Sequence, residues 1–231
     1  MKLSLIIPCY NEEKNLPFLF KKIEKLLIYK SVEVIIVENG SDDNSRKVIK
    51  SLDIKSARLK FKFLDKNKGY GYGIIEGLKV ASGDLLAWTH ADLQTNPNDI
   101  IEGLKLYGNK EDKLFVKGRR YGRKITDQFF TIGMSFIASI YLRSFFWDIN
   151  AQPTIFPRKF FKEWHNPPND FSLDFYSYYL AKKKGYNIKR FPVYFNKRLF
   201  GISKWNFNFY SKIRFIIRTF KFIKNIKRRF Y

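Results

Sequence analysis

The stretch "THADLQ", residues 89–94, sets His90 and Asp92 two positions apart behind the apolar run "DLLAW". A carboxylate at the mouth of a buried strand is costly to desolvate unless something compensates it, and a divalent cation bridging a diphosphate does so. If the strand runs on through Asp92, side-chain alternation turns His90 and Asp92 to the same side. A histidine at a strand end serves equally well as a structural group, so both readings stand.

Two further clusters carry comparable chemistry. "ENGSDDNS" offers Glu38, Asn39, Ser41 and Asp43 around Gly40, groups that can hydrogen-bond the N–H groups of a base and the hydroxyls of a ribose. The same letters also make a good turn followed by a helix cap. "DKNKGYGYGIIEG" brings Lys66, Lys68, Gly69, Gly71 and Gly73 to a helix start, where a pyrophosphate would be favoured; a flexible turn before a capped helix is the plainer reading. It is neither a P-loop nor a correctly placed G-x-G-x-x-G, so neither ATP nor NAD is supported.

The elements that must position these clusters alternate. "LSLIIP" and "VEVIIVENG" are short β-branched runs, with "NLPFLFKKIEKLLIYK" at helical spacing between them. A second round follows as "SRKVIKSLDI" (helix), "LKFKFLD" (strand), "GYGIIEGLKVAS" (helix) and "DLLAWTHAD" (strand). This density of β and α argues for a mostly parallel, doubly wound α/β sheet with its ligands at the carboxyl ends of the strands. "PCYNEE" falls at such an end with the three clusters above. After Leu104, "LFVKGRRYGRK" reads as a strand entering a basic loop and "DQFFTIGMSFIASIYLRSFF" as an apolar helix. "NAQPTIFPRKFF" reads as extended, "SLDFYSYYLAKKKG" as a helix with a glycine stop, and "YNIKRFPVYF" as a last strand.

The 231 residues carry 44 Lys and Arg against 21 Asp and Glu, a formal charge of +23, which favours anionic partners. Cys9 is the single cysteine, so no internal disulfide forms and a reducing compartment is expected. The apolar start "LSLIIP" is too short for a signal peptide's central region. The longest uncharged run, Gln128 to Leu142, is about fifteen residues, below the ~20 of a spanning helix. In the tail, Phe209, Ile213, Ile216, Ile217, Phe220 and Ile223 recur at helical spacing, with Arg214, Arg218, Lys221, Arg228 and Arg229 on the opposite arc. Residues 206–231 therefore read as a basic amphipathic helix, either docked on the core or lying in a membrane interface, with the aromatics favouring the interface.

In this order, "SLIIPCYNEE", "ENGSDDNS", "NKGYGYG", "THADLQ", a Gly-Arg-Arg loop and "GISKW" resemble the GT-A glycosyltransferases of family two, especially polyprenol-phosphate sugar transferases of the dolichol-phosphate mannose synthase kind. The likeness spans about residues 3–205, which are taken as the catalytic domain. It implies a nucleotide-sugar donor held by Pro8, Tyr10, Asn11, Glu12, Glu38, Asn39, Ser41, Lys68, Gly69 and Ala91. It also implies a divalent cation, Mn²⁺ or Mg²⁺, at Asp92 with His90 and Gln94. Where the family has Asp-Asp-Gly-Ser this chain has Glu38-Asn39-Gly40-Ser41, and its D-x-D becomes His90-Ala91-Asp92. His90 is then either a direct ligand favouring Mn²⁺ over Mg²⁺ or a group behind the ligands. Arg119 and Arg120 match the loop on the acceptor phosphate; Arg123 or Lys124 stands in for a second arginine, and Arg198 with Ser203 and Lys204 closes the site.

The implied reaction is an inverting transfer to a polyprenyl (dolichyl or undecaprenyl) phosphate, with Asp92 and Arg120 as the central residues, at an anionic membrane surface on its cytoplasmic face. A membrane partner or homo-oligomer stays open. A glycan hydroxyl acceptor on the same fold would need a carboxylate base, for which Asp170 and Asp174 are available. A catalytically dead scaffold is the reading that the His90 change keeps open. A nucleic-acid binder is suggested only by charge and aromatics, with no motif behind it, so no specific nucleic acid is expected.

Overall fold

The computed structural model describes residues 1–52, 54–108, 112–123, 125–201, 217 and 219–226. Lys124, Ser203, Lys204 and the C-terminal helix, apart from Ile217 and residues 219–226, lie outside them. Every residue is buried in strands β1, Leu3–Cys9, and β2, Val32–Asn39, the pattern of parallel strands covered on both faces. Helix α1, Leu16–Leu26, connects them, burying Leu16, Leu19, Phe20, Ile23 and Leu26 at three- and four-residue spacing. Helix α2, Ser45–Lys50, leads to strand β3, Leu59–Leu64, and α3, Tyr70–Val80, leads to β4, Leu85–Trp88. A 3₁₀ turn at Pro97–Asp99 runs into α4, Ile100–Lys105; β5, Leu114–Tyr121, α5, Ile125–Leu142, and β6, Thr154–Pro157, follow. Helices α6, Arg158–Lys162, and α7, Ser172–Lys183, precede β7, Asn187–Tyr194.

The seven strands form one sheet in the order β3-β2-β1-β4-β6-β5-β7. β1 lies parallel to β2 and β4, β2 to β3, and β5 to β7, while β6 runs antiparallel to both its neighbours. The order reverses between β1 and β4, which opens a crevice at their carboxyl ends. Alternation along β1 divides the core. Ile6 joins Trp88, Phe115 and Phe156 on one face, while Leu5 and Ile7 join Leu19, Ile23 and Ile36 on the other.

Three sequence expectations are corrected. β4 ends at Trp88, because its pairing with β1 stops at Ile6↔Trp88 and with β6 at Trp88↔Thr154, so strand alternation does not orient His90 and Asp92. Gly118, Arg119 and Arg120 are strand, not loop: β7 pairs with β5 residue by residue as far as Tyr121↔Tyr194. "RKFFK", expected extended, is helix α6, which buries Phe160 against the rings of Phe156 and Trp164. Residues 219–226 of the tail are helical; Ile223 and Ile226 are buried in the core, whereas Ile217 is 61% and Phe220 39% exposed.

Candidate active site

A cavity of about 550 Å³ opens at the crevice between the carboxyl ends of β1 and β4. Its walls come from the loops after β1 and β4, the starts of α3 and α7, the end of β5, the inner side of α5, and the segment after β7.

On the β1 side the expected nucleotide residues divide. Pro8, Tyr10, Asn11, Glu12, Asn39, Gly69 and Ala91 line the cavity, and Asn67 joins them. Glu38, Ser41 and Lys68 do not. Glu38 is buried, accepting from the Ser41 N–H (2.6 Å) and from Arg46 Nε (2.7 Å), so it braces the turn. The Ser41 hydroxyl accepts from the Asn11 N–H at 3.1 Å, and the Lys68 ammonium sits over the Tyr72 ring at 5.2 Å. Asn39 donates to the Gly69 carbonyl at 3.0 Å, and its own Oδ1 is buried without a partner among the described residues. An unmet acceptor at that depth is costly, and a donor N–H or O–H of a bound nucleoside would satisfy it.

Asp92 is buried where β4 gives way to its loop. Its Oδ2 receives Arg198 Nη2 at 2.7 Å and its Oδ1 the Gln94 N–H at 3.1 Å, while Arg198 Nε donates to Gln94 Oε1 at 3.1 Å. The loop after β7 thus reaches back to the β4 loop. Glu12 lies close enough to feel both charges: burial pushes its carboxyl up to about 7, with Asp92 adding to the rise and Asn15 and Arg198 opposing it. No cluster of three or more His, Cys, Asp or Glu suited to a metal occurs among the described residues. Asp92 and Gln94 Oε1 are oxygen donors of the kind Mg²⁺ and Mn²⁺ accept, so they fit a cation held jointly with a phosphate-bearing ligand. The His90 ring stacks on Tyr70, centroids 5.2 Å apart.

On the β5 side, Arg120 and Arg123 line the cavity and Arg119, its neighbour on the strand, points away as an exposed residue. Arg120 donates to Asp148 Oδ2 through its backbone N–H (3.0 Å) and to Oδ1 through Nε (2.9 Å) and Nη2. Arg123 Nη1 bonds Thr131 Oγ1 at 2.9 Å and lies 3.9 Å from Asp148. Both guanidiniums stand over the Phe195 ring, at 5.2 and 5.5 Å. Burial works against ionised Asp148, yet the Arg120 charge and hydrogen bonds hold its carboxyl below the usual carboxylate range. Asp148 thus lies beside two cations, both of which line the cavity.

Sequence reasoning did not find Asp148, Phe195, Gln152, Tyr70 or Phe171, since nothing local in "WDIN" or "YFNK" marks a residue that acts by meeting β5. Of the two carboxylates considered as bases, Asp170 accepts from the Ser172 N–H at 2.8 Å in the turn before α7. Asp174 is buried at the cavity wall, where it accepts from Trp88 Nε1 at 3.0 Å and from Gln152 Nε2.

A family model described as glycosyl transferase family 2 matches residues 4–224. Undecaprenyl-phosphate 4-deoxy-4-formamido-L-arabinose transferase of Proteus mirabilis is 34% identical over 130 residues, 50% of this chain and 40% of that protein. Dolichol-phosphate mannosyltransferase of Pyrococcus furiosus is 36% identical over 121 residues, 52% of this chain and 34% of that protein. The matched stretches therefore span less than half of either relative. Among solved structures, glucosyl-3-phosphoglycerate synthase of Mycobacterium tuberculosis, in complex with Mn²⁺, UDP and phosphoglyceric acid, superposes with a TM-score of 0.73 at 14% identity, covering 96% of this chain and 78% of that one. A mannosyltransferase of Pyrobaculum calidifontis, with GDP-Man and Mn²⁺, gives 0.67 at 16% identity, covering 98% and 64%. The sheet is that of the GT-A fold.

Proposed function

The chain belongs to glycosyl transferase family 2, and from that membership we propose that it moves a sugar from a nucleotide-sugar donor to a polyprenyl phosphate, with inversion at the anomeric carbon. The observation that carries this reading is that Arg120 and Arg123 line the same cavity as Asp92, two cations placed across from the carboxylate. An acceptor phosphate is itself an anion, so its oxygen attacks the anomeric carbon without a strong base while the bond to the leaving nucleoside diphosphate breaks. Arg120 and Arg123 orient the acceptor and offset its charge; Arg198 exchanges Asp92 for the donor's phosphates. Asn39 and Tyr10 take the nucleoside. Asp92 and Gln94 would hold a divalent cation, Mn²⁺ or Mg²⁺, which would supply neutralisation of the departing diphosphate.

A membrane-surface location fits this acceptor. The described helices include none long and apolar enough to cross a bilayer. The outer side of α5 and its following turn, however, exposes Phe136 (65%), Ile140 (63%) and Phe145 (70%), while the inner side brings Thr131, Met134 and Ser135 to the cavity. In this proposal residues 1–205 form the catalytic domain. Within residues 206–231, the described stretch 219–226 packs on the core through Ile223 and Ile226, and Ile217, Phe220, Lys221 and Lys224, all exposed, would face the anionic cytoplasmic leaflet.

Incubation with a panel of nucleotide sugars and polyprenyl phosphate tests the assignment: nucleoside diphosphate release that needs the lipid phosphate is expected, and release driven equally by a dephosphorylated lipid or a free glycan refutes it. Asp174 favours the hydroxyl-acceptor reading, being a carboxylate at the cavity wall. Asp174→Asn keeps turnover within about tenfold for a phosphate acceptor, whereas loss of a required base costs roughly 10²–10⁴-fold.

A further inference from the structure

Tyr70 opens α3, and two glycines flank it for a steric reason. A Cβ at Gly69 (φ 115°) would lie 2.2 Å from the Asn169 carbonyl oxygen, and one at Gly71 would lie 2.5 Å from that of Pro168. Only glycine lets the 168–170 backbone press on the start of α3, where the Tyr72 N–H donates to the Asn169 carbonyl at 3.0 Å. That approach lays Phe171 on Tyr70, centroids 4.6 Å apart and planes within 11°. His90 stacks on the same tyrosine at 5.2 Å and 27°, and all three rings line the cavity. Gln152 Nε2 fixes the stack from behind, reaching the Tyr70 hydroxyl at 3.3 Å and also Asp174. Gln152 is 1% exposed, yet its Oε1 has no partner among the described residues.

We propose that the Phe171–Tyr70–His90 stack with Gln152 Oε1 is the subsite for the transferred sugar, and that His90 is a sugar-contacting ring instead of a metal ligand. The inference rests on the nucleotide-sugar reading above. His90 is two residues from Asp92, so its ring adjoins the diphosphate to which the sugar is attached, while Tyr10, Asn39 and Asn67 line the nucleoside end. One face of a hexose ring is largely C–H and packs on an aromatic ring; its hydroxyls are donors that the orphan Gln152 oxygen needs. An aspartate at position 90 would add a second carboxylate beside Asp92 but could not extend the stack.

Calorimetry and Mn²⁺ electron paramagnetic resonance on the full chain separate the roles, using UDP, UDP-glucose, GDP and GDP-mannose as probes. The sugar's contribution is the ratio of affinities between each nucleotide sugar and its nucleoside diphosphate. His90→Ala should lower that ratio roughly 2- to 10-fold, and His90→Phe should retain it, with Mn²⁺ affinity in the presence of UDP or GDP unchanged within about twofold in both. A tenfold loss of Mn²⁺ affinity in both variants, or an unchanged ratio in His90→Ala, overturns the proposal. Failure of the wild-type protein to bind any of the four probes would instead defeat the donor assignment, and is seen before any variant is made.

Discussion

Replacing Arg120 by Met should damage folding and activity by separate routes. Asp148 is 5% exposed and takes three hydrogen bonds from Arg120, and Arg123, at 3.9 Å, is too far to replace them. Removing one partner of a buried ion pair costs about 3–5 kcal/mol when the other charge is left alone, and Arg123 at 3.9 Å keeps part of the compensation, so a loss of about 2–4 kcal/mol is expected. In Arg120→Met/Asp148→Asn the under-compensated charge is gone, so stability by denaturant unfolding should recover most of that loss, the two changes coupling by about 1–3 kcal/mol. Activity should follow another pattern. If Arg120 holds the acceptor phosphate, kcat/KM for polyprenyl phosphate should fall roughly 10²- to 10³-fold in both the single and the double variant. Urea titration and initial-rate kinetics on the four proteins of the cycle measure the two effects. Activity that returns with stability in the double variant would refute the phosphate-binding role and leave Arg120 as a brace for Asp148.

Other consequences follow from charges that the fold has buried. Lys117 is fully buried on β5, with Nζ bonded to Thr154 Oγ1 at 2.9 Å, and burial depresses its pKa to about 7 although the Asp174 charge opposes the drop. The native chain therefore binds fewer protons there than the unfolded chain between about pH 7 and 10.5, so this residue's contribution to stability rises with pH, by about 1.4 kcal/mol per unit. Lys117→Met should accordingly be about 2–4 kcal/mol more stable at pH 7, an advantage that shrinks towards pH 10; a constant difference across that range in calorimetric scans would rule out the titration. Glu12, raised to about 7, is half neutral near pH 7 and gains charge above it beside the anionic donor, so UDP or GDP affinity should weaken on the order of tenfold from pH 6 to 8. Glu12→Gln should flatten that profile, and an unchanged slope in calorimetry would show that another group titrates. Phe136→Ser/Ile140→Ser/Phe145→Ser should reduce flotation with phosphatidylserine vesicles at least tenfold without loss of fold by circular dichroism; equal flotation would remove α5 from the membrane surface.

The apolar periods carry the α/β alternation by themselves. "LSLIIP" and "VEVIIV" are apolar on both faces and suit only a sheet covered on both sides, and "PFLFKKIEKL" must be a helix for its buried residues to share one stripe. The loops at the carboxyl ends of these strands, with Asn39, Gly69 and Asp92, were legible for the same reason: strand polarity determines where they emerge. Pairing between distant segments decided the rest. β7 turns the Gly-Arg-Arg stretch into strand and so sends Arg120 into the cavity and Arg119 out. Asp148 meets Arg120 across 28 residues and Arg198 meets Asp92 across 106, contacts that no local period encodes. His90 shows the division most plainly. The D-x-D likeness marks its position beside Asp92, and only the end of β4 two residues earlier and the backbone around it decide that its imidazole lies on Tyr70.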